Sequence, residues 1–479
     1  MTHAHVIARN AAVGVAAEVI SKVTSVVLYA VMARELGQAG FGEFTFVISL
    51  CMLLLVLAGP GTNDILTREI ARDRATLPKL LWSAISVKSV LGVPAIALAY
   101  LIAAMAGYDT DVQLAVVLLG ASQLVETVSK SLQSTFLAYD DLRPVAKALL
   151  LQRTTTTVVG IAVLATGGGL VAISAVFLLG AVLAPIYLFR QLISLRGWVP
   201  VTLSLTAARQ LYVLAFPLGL SAVFTTVLFR VDAVILAWFK PDAIVGLYGA
   251  AYRVLDSTLF LSWTFVSALM PTLSRGGEGH TSAFQGGSKV LLAVLAPIGL
   301  IFALFAEPIM RIIYGPDYTD GATALRLLGA TAMLFGLSHL AQTTLVTQDR
   351  QKVIPWLTGG FAIQNVALNF VLIPPLSLEG AALATSITEV TRCTVLFVLA
   401  RPGHISLVRI AIGPVGAGLV MVGIWALNLP GLVALLIAPL AYAGTLYLIE
   451  SRLYPADLEL LKELVLRRRS RPSAPASRA

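Results

Sequence analysis

Apolar runs of about twenty residues follow one another, almost without interruption, from near residue 10 to near residue 450. A run of that length crosses the hydrocarbon core of a bilayer once. In lipid, backbone N–H and C=O groups must be satisfied within the segment, so each run folds as a helix. The pattern predicts an all-α polytopic membrane protein with about 14 spans. They fall at 10–35, 43–66, 81–105, 113–137, 148–166, 170–190, 210–239, 247–272, 290–310, 327–347, 353–373, 382–400, 410–428 and 432–450. The loops between them are short, and none is long enough for a folded domain. The stretch "LAGPGTNDILTREIARDR" is read as the end of the second span followed by a polar turn.

The chain carries 34 Lys and Arg against 25 Asp and Glu, a formal net charge of +9. Nucleic acid is not the expected partner, because most of the basic residues fall in loops and tails on the side of the N-terminus. That bias sets topology and places both termini in the cytoplasm. The tail "PADLELLKELVLRRRSRPSAPASRA" is expected to be a cytoplasmic anchor drawn to anionic membrane lipid. Cys51 and Cys393 both lie inside apolar spans and form neither a disulfide framework nor a metal-ligand spacing. No nucleotide-binding glycine loop is present, so no cofactor, no metal and no catalytic residues are expected, and the chain is not read as an enzyme.

The chain also resembles itself. An offset of 204 aligns Gly42 with Gly246 and Phe44 with Tyr248, and "LAYDDLRPVAKALL" echoes "VTQDRQKVIPWLTG". Each half holds six spans. Because six is even, both halves enter the membrane from the same side, and a pseudo-two-fold along the membrane normal must relate them. The expected division is an N-terminal lobe, 1–200, a C-terminal lobe, 201–405, an extra helix pair, 406–450, and a basic tail, 451–479.

Charged side chains interrupt the spans. Glu18, Lys22, Ser25 and Tyr29 share one face of the first span, and Glu126 and Lys130 lie a turn apart on the fourth. Arg230 and Asp232 lie about 200° apart on the seventh, Arg253 and Asp256 on the eighth, Glu389 and Arg392 on the twelfth. Intramembrane charges are costly and mark functional sites unless they only neutralise one another. Lys88, Lys130 and Arg153 sit toward cytoplasmic helix ends, where their stems reach the interface, so Lys88→Ala is expected to be mild. Lys22, Arg230, Arg253 and Arg392 lie deeper and are the expected lining of a cationic cavity. Glu18, Glu126, Asp232, Asp256 and Glu389 are the expected coupling or charge-balancing acids. Arg230 is expected to face the cavity while Asp232 pairs across to another helix. A cationic passage suits a phosphate or diphosphate head group.

"ARELGQAGFGEFTFVISL", "LTREIAR", "FRVDAVIL", "VGLYGAAYRV", "IIYGPDYTDGATALRLL" and "QDRQKVIPWLTGGFAIQNVALNFVLIPPLSLEGAALATSITEV" together resemble the polysaccharide transporter family. Its members are repeat-unit flippases for O-antigen, capsule and exopolysaccharide within the multidrug/oligosaccharidyl-lipid/polysaccharide exporter superfamily. The resemblance implies a multi-pass protein of the inner (cytoplasmic) membrane that moves a polyprenyl-pyrophosphate-linked glycan by alternating access, with polysaccharide polymerase machinery as a further partner. The alternatives are a peptidoglycan precursor (lipid II) flippase, a cation-coupled multidrug exporter and, from another class, a membrane-embedded glycosyltransferase or polymerase.

Overall fold

The computed structural model describes residues 3–274, 277–401, 403, 405–427 and 429–455, so the basic tail 451–479 lies outside the described residues beyond Pro455. Side chains are described from Glu18 onward, apart from residues 196, 271, 277–279 and 432. Every regular element among the described residues is helical. Along the chain they are α1 (His3–Leu55), α2 (Thr62–Arg72), α3 (Leu77–Met105), α4 (Thr110–Ala138), α5 (Leu142–Ala165), α6 (Leu170–Arg196) and α7 (Leu205–Phe239). Then come α8 (Asp242–Leu273), α9 (Gly277–Tyr314), α10 (Ala322–Thr347), α11 (Ile354–Leu376), α12 (Leu378–Ala400), α13 (Leu407–Ala426) and α14 (Gly431–Leu453).

The first element is two spans rather than one. Gly37 breaks α1 with φ 68°, a left-handed conformation that glycine adopts without steric penalty. The Tyr29 and Phe44 rings then lie 6.1 Å apart. Fifteen residues of unbroken helix would hold them roughly 22 Å apart, so the chain doubles back at Gly37. With the break counted, fourteen membrane-length helices stand where the hydropathy placed them. One boundary differs. The second span ends at the short 3-10 turn Val56–Ala58, and Gly59-Pro60-Gly61 turns the chain into the separate helix α2. Ile65, Leu66 and Ile70 bury the apolar face of α2 among Leu81, Leu132, Phe136, Leu188 and Leu211.

The chain packs into two compact units. The first comprises Met1–Phe260, Ala306–Leu328 and Asp349–Arg392, the second Leu261–Phe305, Gly329–Gln348 and Cys393–Ala479. Within the first, α1 packs on the start of α8 through two glycines. A Cβ built on Gly42 would overlap the Asp242 carbonyl, and one built on Gly246 would overlap the Gln38 carbonyl. Gly42 and Gly246 are 204 residues apart, and so are Gln38 and Asp242. The contact is therefore reciprocal in the way a two-fold interface requires, i against j and j against i. The internal repeat is thus present as local symmetry, with its axis passing between these two glycines.

Within the second unit, Gly299 of α9 and Gly329 of α10 allow backbone-to-backbone approach. There Lys289 of α9 forms a 2.5 Å ion pair with Glu450 of α14, both buried. Lys289 also lies 4.2 Å from the centre of the Tyr454 ring. This pair ties the last helix to α9.

Candidate functional site

The strongest convergence of intramembrane charge lies in the first unit, where α1, α7 and α8 meet. Asp256 of α8 accepts from Arg230 of α7, with Nη2 3.1 Å from Oδ2. The same Oδ2 lies 3.7 Å from Arg253 Nη1, one helical turn back along α8. Two guanidinium groups thus share one carboxylate, leaving a formal excess of one positive charge. The three side chains are 12–23% exposed, so the charges are shielded from bulk water without being sealed off. The Arg253 guanidinium stacks 4.4 Å over the Tyr29 ring of α1, which adds a cation–π contact, and Arg230 lies 5.9 Å from the Tyr252 ring. Arg230 Nε is buried with no hydrogen-bond partner among the described residues. A buried guanidinium N–H left unmade carries a desolvation cost that an anionic oxygen would relieve.

Asp232 has a different role. It is 1% exposed; its Oδ2 accepts from Tyr248 Oη of α8 and lies 3.4 Å from Thr385 Oγ1 of α12, while Oδ1 accepts from the Ala233 N–H. Two residues along one helix point to opposite sides, so Arg230 and Asp232 have separate partners. Asp232 is a junction joining α7, α8 and α12.

The other predicted residues are spread along the unit. Arg392 pairs with Glu389 at 3.0 Å, two turns beyond Thr385 on α12. Lys22 is half-buried two turns before Tyr29, and no hydrogen bond or ion pair joins it or Glu18 to another described side chain. At 1.5 Å per residue, Lys22 and Arg392 lie roughly 10 Å from the levels of Tyr29 and Thr385, on the side away from the Gly37 turn. They are not part of the Arg230–Arg253 cluster. Glu126 pairs with Lys130 at 3.6 Å within α4, with Gln152 and Arg153 of α5 beside the carboxylate. The polar face of α11 is buried: Asn369 donates to Asn365, whose amide lies 3.4 Å from Thr388 of α12.

Lys88 corrects an expectation. Its side chain does not reach an interface but is fully buried. Nζ donates to Asn63 Oδ1 and Ser131 Oγ, both at 2.7 Å, and lies 3.4 Å from the Thr127 carbonyl. None of the described carboxylates lies within ion-pair distance. The cause is α2, which folds back after the Gly-Pro-Gly turn and fills the space through which the stem would have escaped. Gly59 leaves room for it, since a Cβ there would press on Lys88 Cε.

Three further features were missed from the sequence. Tyr252 joins the arginine cluster, and Tyr108, in the turn before α4, donates to Asp242 Oδ1 at 2.9 Å. Burial and that carboxylate push the Tyr108 phenol upward, which keeps it a donor. The Lys289–Glu450 pair was also missed, since hydropathy put both residues at span edges.

The sequence profile of a family described as "Polysaccharide biosynthesis protein" matches residues 7–276, more than half of the 479. The chain belongs to this family. It is 23% identical over 162 residues to the probable low-salt glycan biosynthesis flippase Agl15 of Haloferax volcanii, a match covering 33% of this chain and 34% of that protein. The chain spans about a third of the length of the curated relatives it matches. Its fold is similar to that of the lipid II flippase MurJ, solved in an inward closed conformation, with a TM-score of 0.76 at 14% identity over 91% of this chain and 98% of that one. A multidrug resistance MATE family transporter in an inward-facing conformation follows, with a TM-score of 0.65 at 16% identity over 82% and 97%. The chain is therefore a multi-pass helical membrane protein with a transporter fold. These relatives are flippases and transporters rather than enzymes.

Proposed function

We propose that the chain is a flippase that moves a polyprenyl-pyrophosphate-linked oligosaccharide repeat unit across the cytoplasmic membrane for surface polysaccharide biosynthesis. The observation that carries this reading is the Arg230–Arg253 pair, held on one shared carboxylate with an unmet guanidinium donor. Arginine forks match the paired oxygens of a diphosphate, and a shielded site strengthens each contact. Lys22 and Arg392, about two helical turns further along, are cationic stations for the same head group on its way between leaflets. The six-helix lobes 1–200 and 201–405 are the bodies whose alternating access moves it, with both termini cytoplasmic. The acids Glu18, Glu126, Asp232, Asp256 and Glu389 balance or couple this charge. The glycan polymerase would act on the product at the outer leaflet.

The test uses a strain lacking the gene, complemented with variants. Arg253→Ala and Lys22→Ala should leave membrane insertion unchanged while lipid-linked repeat units accumulate on the cytoplasmic leaflet. Normal surface polysaccharide from both variants would refute the cationic route.

A further inference from the structure

At the end of the first unit that carries the Gly37 turn lies a depression of about 890 Å³ that no step above uses. Its walls are the turn after the first arm of α1, Ala243 of α8, and residues 311–320, which run from the last turn of α9 into the segment before α10. The first and last of these are fastened together. Arg34 Nη2 donates to the Ile312 carbonyl at 2.7 Å, Gln38 Nε2 to the Asp317 carbonyl at 2.5 Å, and Tyr318 Oη to the Ala33 carbonyl at 2.8 Å. The sharp bends at the rim are glycines in the left-handed region, Gly37 at φ 68° and Gly315 at φ 105°. The shape is thus set by the backbone before any ligand arrives.

The chemistry of the lining narrows the ligand. Arg34 and Arg311 face the depression together with Asp317 and Asp320, and all four are exposed. Arg311 is partly engaged with Glu307 at 2.8 Å, whereas no described cation pairs with Asp317 or Asp320. A phosphate would meet two carboxylates and a metal ion would meet two guanidinium groups. A neutral polyol meets no such conflict. Each hydroxyl donates to a carboxylate and accepts from a guanidinium or amide, and such charge-assisted bonds are the strong ones.

Position links the depression to the cationic cluster. Tyr314 lines it and has Arg253 and Tyr29 among its electrostatic neighbours. Arg34 follows Tyr29 by five residues, about 7.5 Å along the helix. We propose that this depression is a sugar subsite, which holds hydroxyls of the oligosaccharide on Asp317, Asp320, Arg34 and Gln38 while the diphosphate sits on Arg230 and Arg253. The inference rests on the flippase function proposed above. The proposed topology puts this end outside, so the subsite receives the glycan as it emerges.

Two probes separate the claims: the water-soluble oligosaccharide released by mild acid from the lipid-linked glycan of the deletion strain, and inorganic pyrophosphate. Each is titrated onto the full chain in lipid nanodiscs by saturation-transfer NMR and calorimetry. The double variant Asp317→Asn/Asp320→Asn should raise the oligosaccharide Kd about 10-fold or more, without weakening pyrophosphate binding. Arg230→Gln/Arg253→Gln should do the reverse. Unchanged melting temperature in the acid-to-amide variant confirms that the fold is intact. The subsite is overturned if the oligosaccharide fails to bind the wild-type chain, or if it binds the Asp317/Asp320 variant equally well. If variant-sensitive oligosaccharide binding persists while pyrophosphate does not bind at all, the subsite stands and the diphosphate site falls.

Discussion

Neutralising Asp256 should tighten anion binding and slow transport. Under the proposed function, Asp256 is the internal substitute for the cargo's negative charge, 3.1 Å from Arg230 and 3.7 Å from Arg253. A diphosphate taking the free edges of the same guanidinium groups would bring its charge to about 6 Å from that carboxylate. At an effective dielectric of about 20, two unit charges at that separation repel by about 3 kcal/mol. Water reaching these partly exposed groups screens some of this, so a gain of about 1.4–2.5 kcal/mol is expected. That corresponds to roughly 10- to 100-fold tighter binding. Asp256→Asn is the right perturbation because the amide oxygen can still accept from Arg230, which preserves the pairing geometry while removing the charge. Calorimetry of pyrophosphate on the full chain in nanodiscs measures the affinity, and reconstituted vesicles measure the flipping rate. If release from the arginine pair limits turnover, the rate falls as affinity rises. Equal or weaker pyrophosphate binding by Asp256→Asn would show that the anion does not compete with this carboxylate, and the site would be a structural ion pair.

Two stability predictions follow from buried charge. Lys88→Ala should lower stability by about 2–5 kcal/mol, because truncation opens a cavity beside Gly59 and strands Asn63 and Ser131. Lys88→Met, which keeps the volume and removes a desolvated charge, should be clearly milder, and equal melting temperatures for the two variants would refute the cage. Lys289→Met should cost about 3–5 kcal/mol by leaving Glu450 buried without its cation, while Lys289→Met/Glu450→Met should recover most of the loss. Thermal unfolding in detergent reads both, and a double variant as unstable as the single one would show that the pair is not what holds α14.

Hydropathy and charge bias made the fourteen helices legible because bilayer thickness leaves a chain few options. The 204-residue offset predicted a two-fold, and the structure puts its local axis where Gly42 and Gly246 pack. Depth was harder to read. Distance along the sequence from a span edge placed Lys88 near water, but only the path of α2 decides whether its stem can escape. Partners were harder still. Arg230, Arg253 and Asp256 were each visible as intramembrane charges, yet nothing in a one-dimensional pattern states that two arginines share one carboxylate.

The offset also shows where the symmetry is broken. Arg230, Asp232, Tyr248, Arg253 and Asp256 correspond in the first half to Val26, Leu28, Phe44, Ser49 and Met52. Leu28 and Phe44 fill, as buried apolar side chains, the places that the Asp232–Tyr248 hydrogen bond occupies in the second half. The backbone is therefore repeated across the axis while the charge is not. A symmetric charge set would offer an anion two equivalent stations facing each other across Gly42 and Gly246. Keeping Arg230 and Arg253 in one half, with Tyr29 of the other half as their only aromatic cover from across the axis among the described contacts, gives the proposed diphosphate station one copy at this level rather than two. An elongated cargo bound there has one orientation rather than two, with its charged end on the arginines and its remainder directed toward the turn end of α1.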